Sequence, residues 1–302
     1  MMGGVYSPIM ATIRSGKIEV SAAEKGAELQ SIKGPDGTEY LWQGDAAFWN
    51  RRSPLLFPNV GALPGGTFSH RGRTYSLGNH GFARGRDFRL ASSSPGRMRF
   101  ELRSDEATRA LYPFDFLLAV SYEVEGDRLS VGWEVRNEGG EEMSFSIGAH
   151  PGFNVPLAPG ERREDYEILF EKAERVDRLL LNADNVRTGE AEPFLAGQDR
   201  VGLQAALFEK GAVVLASPAS RRATLRSRRS GRFVELSFPG FPSLGLWSPK
   251  DNDHGPCPFV CIEPWYGIMP LAGSTQELRD KEGVLRLAPD KSFEAEYSIR
   301  IG

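Results

Sequence analysis

Residues 118–135 read Leu-Ala-Val-Ser-Tyr-Glu-Val-Glu-Gly-Asp-Arg-Leu-Ser-Val-Gly-Trp-Glu-Val. Leu118, Val120, Tyr122 and Val124 alternate with polar or small neighbours, and so do Leu129, Val131, Trp133 and Val135 on the far side of Gly126-Asp127. Period-2 alternation places one side chain in two on a buried face, and a Gly-Asp pair between two such runs predicts an antiparallel hairpin. The pattern spreads outward from there. Met98, Phe100 and Leu102 alternate with arginines and Glu101 upstream, and Phe293, Ala295, Tyr297 and Ile299 alternate with Glu294, Glu296 and Ser298 near the C-terminus. Val213–Leu215 and Phe233–Phe238 read as further strands. Lys33 to Gly37 reads as a turn between a strand around Leu29 and Ile32 and another around Tyr40 and Trp42. Only Asp105–Leu111 reads as a short helix, with Ser104 or Asp105 able to cap its free N–H groups.

Many short strands and few helices predict an all-β fold, a large antiparallel β-sandwich. The 34 glycines and 20 prolines punctuate the strands throughout instead of gathering in a linker. No repeat or compositional break marks a boundary, so residues 1–302 are expected to form a single domain.

Composition removes several function classes. The chain is 40% hydrophobic and 25% charged, with 37 basic against 40 acidic residues and a net charge of −3. That balance gives no reason to expect a nucleic-acid or membrane partner. The basic run Arg221, Arg222, Arg226, Arg228, Arg229 and Arg232 alternates with Ala223 and Leu225 and reads as the solvated face of a strand. No stretch approaches the ~20 apolar residues of a membrane span, and no basic segment with an apolar run opens the chain. The expected location is cytoplasmic. Cys257 and Cys261 do not make a disulfide framework, and a metal site would need His or Cys partners at ligand spacing. They read as small buried residues in or near a strand, and no metal or cofactor is expected.

The chain has four histidines. His70, in Phe-Ser-His-Arg-Gly-Arg, and His254, in Asp-Asn-Asp-His-Gly-Pro, read as exposed loop residues. His80 lies in Asn79-His80-Gly81-Phe82-Ala83-Arg84, where glycine permits close backbone approach to a ligand and an arginine follows. His150 lies in Gly148-Ala149-His150-Pro151-Gly152-Phe153, after an apolar strand. Glu263 ends the apolar run from Phe259 in Cys261-Ile262-Glu263-Pro264-Trp265-Tyr266-Gly267. A carboxylate there needs a partner or a cleft, because burying it alone is expensive.

These segments, with Tyr40-Leu41-Trp42-Gln43 and Pro54-Leu55-Leu56-Phe57-Pro58, resemble the aldose 1-epimerase (galactose mutarotase) superfamily, and its LacX-like branch most. The likeness runs in order from about Ile18 to Ile299. It implies a large antiparallel β-sandwich, in agreement with the strand pattern, and a mutarotase needing no metal or cofactor. By resemblance His150 is the general acid on the ring oxygen, Glu263 the general base on the anomeric hydroxyl, and His80 a hydrogen-bonding group near the ring oxygen. Arg51 or Arg52, just before the Pro-Leu-Leu-Phe-Pro segment, is a candidate sugar contact, and Arg51, Arg52 and Arg84 are available to a phosphate. Trp247 and Trp265 are candidates to stack on the apolar face of a pyranose.

The chemistry wants such a set. Anomer exchange removes a proton from the C1 hydroxyl while the ring oxygen gains one, so an acid and a base are expected on opposite sides of the C1–O5 region. A histidine titrating near neutrality and a glutamate kept ionised by its neighbours suit those tasks. Two features depart from the family pattern. Ala62 stands where many relatives carry a basic residue, and no motif places the aspartate that contacts sugar hydroxyls in the better-known mutarotases. The expected partner is a small-molecule sugar, bound by a monomer or a homodimer. A hexose-6-phosphate 1-epimerase and a non-catalytic carbohydrate-binding protein are the competing readings.

Overall fold

The computed structural model describes residues 10–274 and 276–302; the segment inspected above for a leader begins outside them. The expected hairpin is its centre. Strands Phe116–Glu125 and Arg128–Asn137 pair antiparallel with Leu129 opposite Val124, Val131 opposite Tyr122, Trp133 opposite Val120 and Val135 opposite Leu118. All eight of those side chains are buried, which is why the sequence alternates. Gly126, first of the two loop residues, has φ 59°, a left-handed conformation that tight hairpin loops require.

From this hairpin a 15-stranded antiparallel sheet extends in both directions and forms a large β-sandwich. On one side it passes through Arg97–Arg103 to Arg89–Ser94. On the other it passes through Ser292–Ile301, Phe233–Ser237, Arg222–Ser227 and Tyr166–Leu181, then Val213–Ala216, Ser243–Trp247, Phe259–Tyr266, Ile147–Ala149 and Leu55–Leu56. Met10–Arg14, Glu19–Ala23 and Leu29–Lys33 make a separate three-stranded sheet. The main apolar cluster draws on residues from Ala11 to Ile301, with Trp133 packed edge-on against Phe241 and Tyr297.

The helix is Glu106–Leu111. Asp105, not Ser104, caps it: the Asp105 carboxylate accepts from the Thr108 N–H at 2.7 Å, and the Thr108 hydroxyl accepts from the Asp105 N–H at 2.8 Å. Ser104 instead accepts from the Phe116 N–H. Five short 3₁₀ turns that the sequence reading did not anticipate complete the helical content of the described residues.

Other expectations need correcting. Tyr40 to Trp42 is not a ladder strand; it runs beside Gly152–Asn154 through the single bridge of Leu41 to Phe153, and the Asn154 amide donates to the carbonyls of Glu39 and Leu41. His70 is not a free loop residue but ends strand Thr67–His70, with Nε2 3.3 Å from Glu141 and a side chain 12% exposed. His254 does lie exposed in a turn. Along Arg222–Ser227, Ala223, Leu225 and Ser227 are buried while Arg222 and Arg226 face outward to Glu235 and Glu167. Cys257 and Cys261 are free and buried, the latter within Phe259–Tyr266. No helix of the described residues is long and apolar enough to cross a membrane.

Candidate active site

Strand register builds the centre of the site. Gly148 pairs with Trp265 and Gly152 pairs with Cys261, in one unbroken antiparallel register, so His150 falls opposite Glu263 midway between them. Their side chains meet: His150 Nε2 lies 3.3 Å from Glu263 Oε2. Beneath them the Trp265 indole spreads across positions without side chains. A Cβ on Gly148 would come within 2.5 Å of it, and one on Gly245 within 2.3 Å. Trp265 is therefore a packed floor, 1% exposed, and not an open stacking platform.

His80 arrives by a different route. Residues 78–81 form a turn closed by the Gly81 N–H donating to the Gly78 carbonyl. His80 and Gly81 are both left-handed, with φ 63° and 70°. Gly81 also sits where a Cβ would lie 2.2 Å from the Phe57 carbonyl oxygen, so no other residue fits there. A non-glycine residue held at positive φ is a sign of local strain of the kind found at ligand sites. The turn delivers His80 to Gly61, whose N–H donates to His80 Nδ1 at 3.1 Å. An accepting Nδ1 leaves the neutral ring its proton on Nε2, so His80 faces the site as a donor. Its ring stands perpendicular to that of His150, centroids 5.6 Å apart.

Trp49 covers the other side of His150, ring on ring at 4.9 Å and 30°. Trp247 meets both edge-on. The Trp42 indole N–H fixes this lid by donating to the Trp49 carbonyl at 2.8 Å.

Burial dominates the electrostatics. It pushes His150 down to about 3 and Glu263 well above the usual carboxylate range, the indole N–H of Trp265 opposing the latter. Burial likewise holds His80 well below its ordinary value, with the neighbouring His150 and Arg84 acting in the same direction. Both directions run against the expectation of a histidine titrating near neutrality and a glutamate kept ionised, because burial favours the uncharged form of each group. Nor do the two groups stand on opposite walls; they stand side by side.

His80, His150, Glu263, Trp49, Trp247 and Trp265 line one cavity of about 230 Å³, with Asn79, Arg84, Leu181, Asn185 and Met269 among the other residues around it. That is below the ~300–1,000 Å³ of sites for drug-sized ligands and suits a single sugar ring.

A family model described as aldose 1-epimerase matches residues 10–280. The chain belongs to the aldose 1-epimerase family. It is an isomerase on the LacX-like branch: the chromosomal LacX protein of Lactococcus lactis subsp. lactis is 34% identical over 284 residues, covering 91% of this chain and 94% of that one. The fold matches a galactose mutarotase related enzyme from Lactobacillus acidophilus with a TM-score of 0.90 at 31% identity, covering 97% of both chains. A galactose mutarotase-like protein from Lactobacillus casei gives 0.90 at 32%, covering 97% of this chain and 100% of that one.

Within this epimerase, six of the eight residues singled out from sequence line the cavity: His80, Arg84, His150, Trp247, Glu263 and Trp265. Arg51 and Arg52 do not line it. The buried Glu28 carboxylate claims that segment, accepting from the Arg52 and Ser53 N–H groups at 2.8 and 3.0 Å and facing the Arg51 guanidinium at 3.4 Å. Arg51 also donates to the Arg84 carbonyl, and Arg52 to Gln30. Sequence reasoning missed Trp49 and Asn185. Trp49 is two residues from Arg51 and had an aromatic signal; Asn185 lies in a polar turn and had none.

Proposed function

We propose that this epimerase interconverts the α and β anomers of a free aldose by acid–base ring opening and reclosure at C1. The observation that carries this reading is the 3.3 Å contact between His150 and Glu263 at the cavity wall. Two basic atoms share one proton there. At rest burial favours it on Glu263. Sugar hydroxyls that donate to the carboxylate lower its proton affinity, and the proton passes across the contact to His150. The result is an imidazolium acid beside a carboxylate base. O1 and O5 are both bonded to C1, so adjacent groups can serve both oxygens. Glu263 takes the O1 proton, His150 protonates O5, and the C1–O5 bond breaks to give the aldehyde. Rotation about C1–C2 and the reverse transfers close the other anomer, leaving the pair as it began. His80, a neutral donor, positions the sugar.

An unphosphorylated substrate is favoured because, among the described residues, Arg84 is the one arginine lining the cavity, and the neighbouring depression at Ala62 carries Asp184 instead of a cation. The test is polarimetry of freshly dissolved α-glucose and α-galactose, with glucose 6-phosphate in parallel. Accelerated loss of rotation is expected with the free sugars, reduced at least ~10²-fold by Glu263→Gln. A pure protein inert on every common aldose would sink the reading. Faster exchange of the phosphate ester would move it to the sister activity.

A further inference from the structure

Cys261 has no part in that proton transfer, yet the register that brings His150 to Glu263 also brings it there. Cys261 and Glu263 are two residues apart on one strand and so share a face, and His150 lies across from them. The donor atoms of all three side chains lie within 4.8 Å of one another. All three residues are buried, with 0%, 2% and 7% exposure for Cys261, Glu263 and His150. Among the described residues, no hydrogen-bond partner is found for His150 Nδ1. One sulfur, one nitrogen and one oxygen form the mixed donor set that Zn²⁺ and its relatives prefer, and their tetrahedral bond lengths need ligand atoms roughly 3.5 Å apart.

We propose that His150, Cys261 and Glu263 form an inhibitory binding site for a thiophilic divalent cation of the Zn²⁺ and Cd²⁺ class. The cavity reaches His150 and Glu263, which gives the ion a way in and leaves its fourth position facing the space a sugar would use. Binding displaces the thiol proton and the carboxyl proton to solvent, and the two anionic ligands then neutralise the dication. That balance matters because Arg84, also in the cavity wall, repels cations. Coordination occupies the acid and the base together, so the ion and the sugar exclude each other. The inhibitory consequence rests on the proposed anomer exchange; the binding does not.

The experiment uses the whole chain, reduced and metal-free, titrated with CdCl₂. A thiolate-to-cadmium charge-transfer band in the ultraviolet is expected to saturate at one equivalent. It should vanish in Cys261→Ser, persist in Cys257→Ser, and need about tenfold more cadmium or worse in Glu263→Gln, a loss already typical of removing a mere supporting group. ZnCl₂ should block anomer exchange by the wild type reversibly on chelation, and Cys261→Ser should exchange anomers at the wild-type rate with weaker zinc inhibition. Absence of the band in the wild type, or a band that follows Cys257 instead, would overturn the site. A band in a protein without mutarotase activity would leave the metal site standing and remove the function proposed above.

Discussion

Two long hairpins of this epimerase make opposite uses of the same motif. The pair Phe116–Glu125 and Arg128–Asn137 keeps strict register and lays one face of each strand into the core. The pair Tyr166–Leu181 and Arg187–Gly202 is longer, is broken by four register shifts, and buries only Leu195 in its second strand. Yet it is this second hairpin that reaches the cavity, with Leu181 at its strand end and Asn185 in its turn. Regular pairing runs through the core; the irregular hairpin anchors Tyr166, Ile168 and Phe170 in that core and is irregular beyond them, where it bends toward the cavity.

Truncating Trp133 should have the largest effect. Trp133→Ala removes a core tryptophan 3% exposed and is expected to lower unfolding free energy by about 3–5 kcal/mol, with KM unchanged in the protein that remains folded. Chemical denaturation and mutarotation kinetics on one preparation measure both, and a large KM change would break the contrast. A pH series sharpens it further, since the core hairpin buries no histidine or carboxylate whereas the site buries His150 and Glu263. His150 is pushed to about 3 when folded, against 6.5 ordinarily. The unfolded chain therefore binds more protons between those values, and stability should fall as pH drops from about 6.5 toward 3. His150→Asn should make that acid limb shallower. Glu263 acts with the opposite sign, its contribution being lost as pH rises through its elevated folded value.

The second hairpin should respond in kinetics and not in stability. Asn185→Gly keeps the left-handed turn, φ 58°, while removing the amide, and a lost neutral hydrogen bond of about 1 kcal/mol should raise KM roughly fivefold. Unchanged KM across a sugar panel would show that the turn only frames the cavity. The smallest effect is expected on the exposed strand: Glu190→Ser should stay within about 0.5 kcal/mol in thermal or denaturant unfolding.

The same contrast explains what could be read in advance. Core strands advertised themselves because alternate residues from Leu118 to Val135 point into the core, so the stretch carried a period. Arg187–Gly202 carried none, since Arg, Glu and Gly interrupt a strand in which only Leu195 is buried. His80, His150 and Glu263 stood out through their glycine and apolar surroundings. Arg51 and Arg52 looked equally promising, because nothing local reveals that Glu28, more than twenty residues earlier, would claim their segment.

By itself the sequence determined the all-β class, the central hairpin and several further strands, and, through its family resemblance, the residues to examine for a site. The strands follow from backbone periodicity, which is local. Only the tertiary structure decided that His150 falls opposite Glu263 and touches it, that Trp49 roofs the pair, and that Cys261 shares their face. Strand register between residues more than a hundred positions apart set those contacts. Burial, a property of the whole fold, then drove both groups toward their neutral forms.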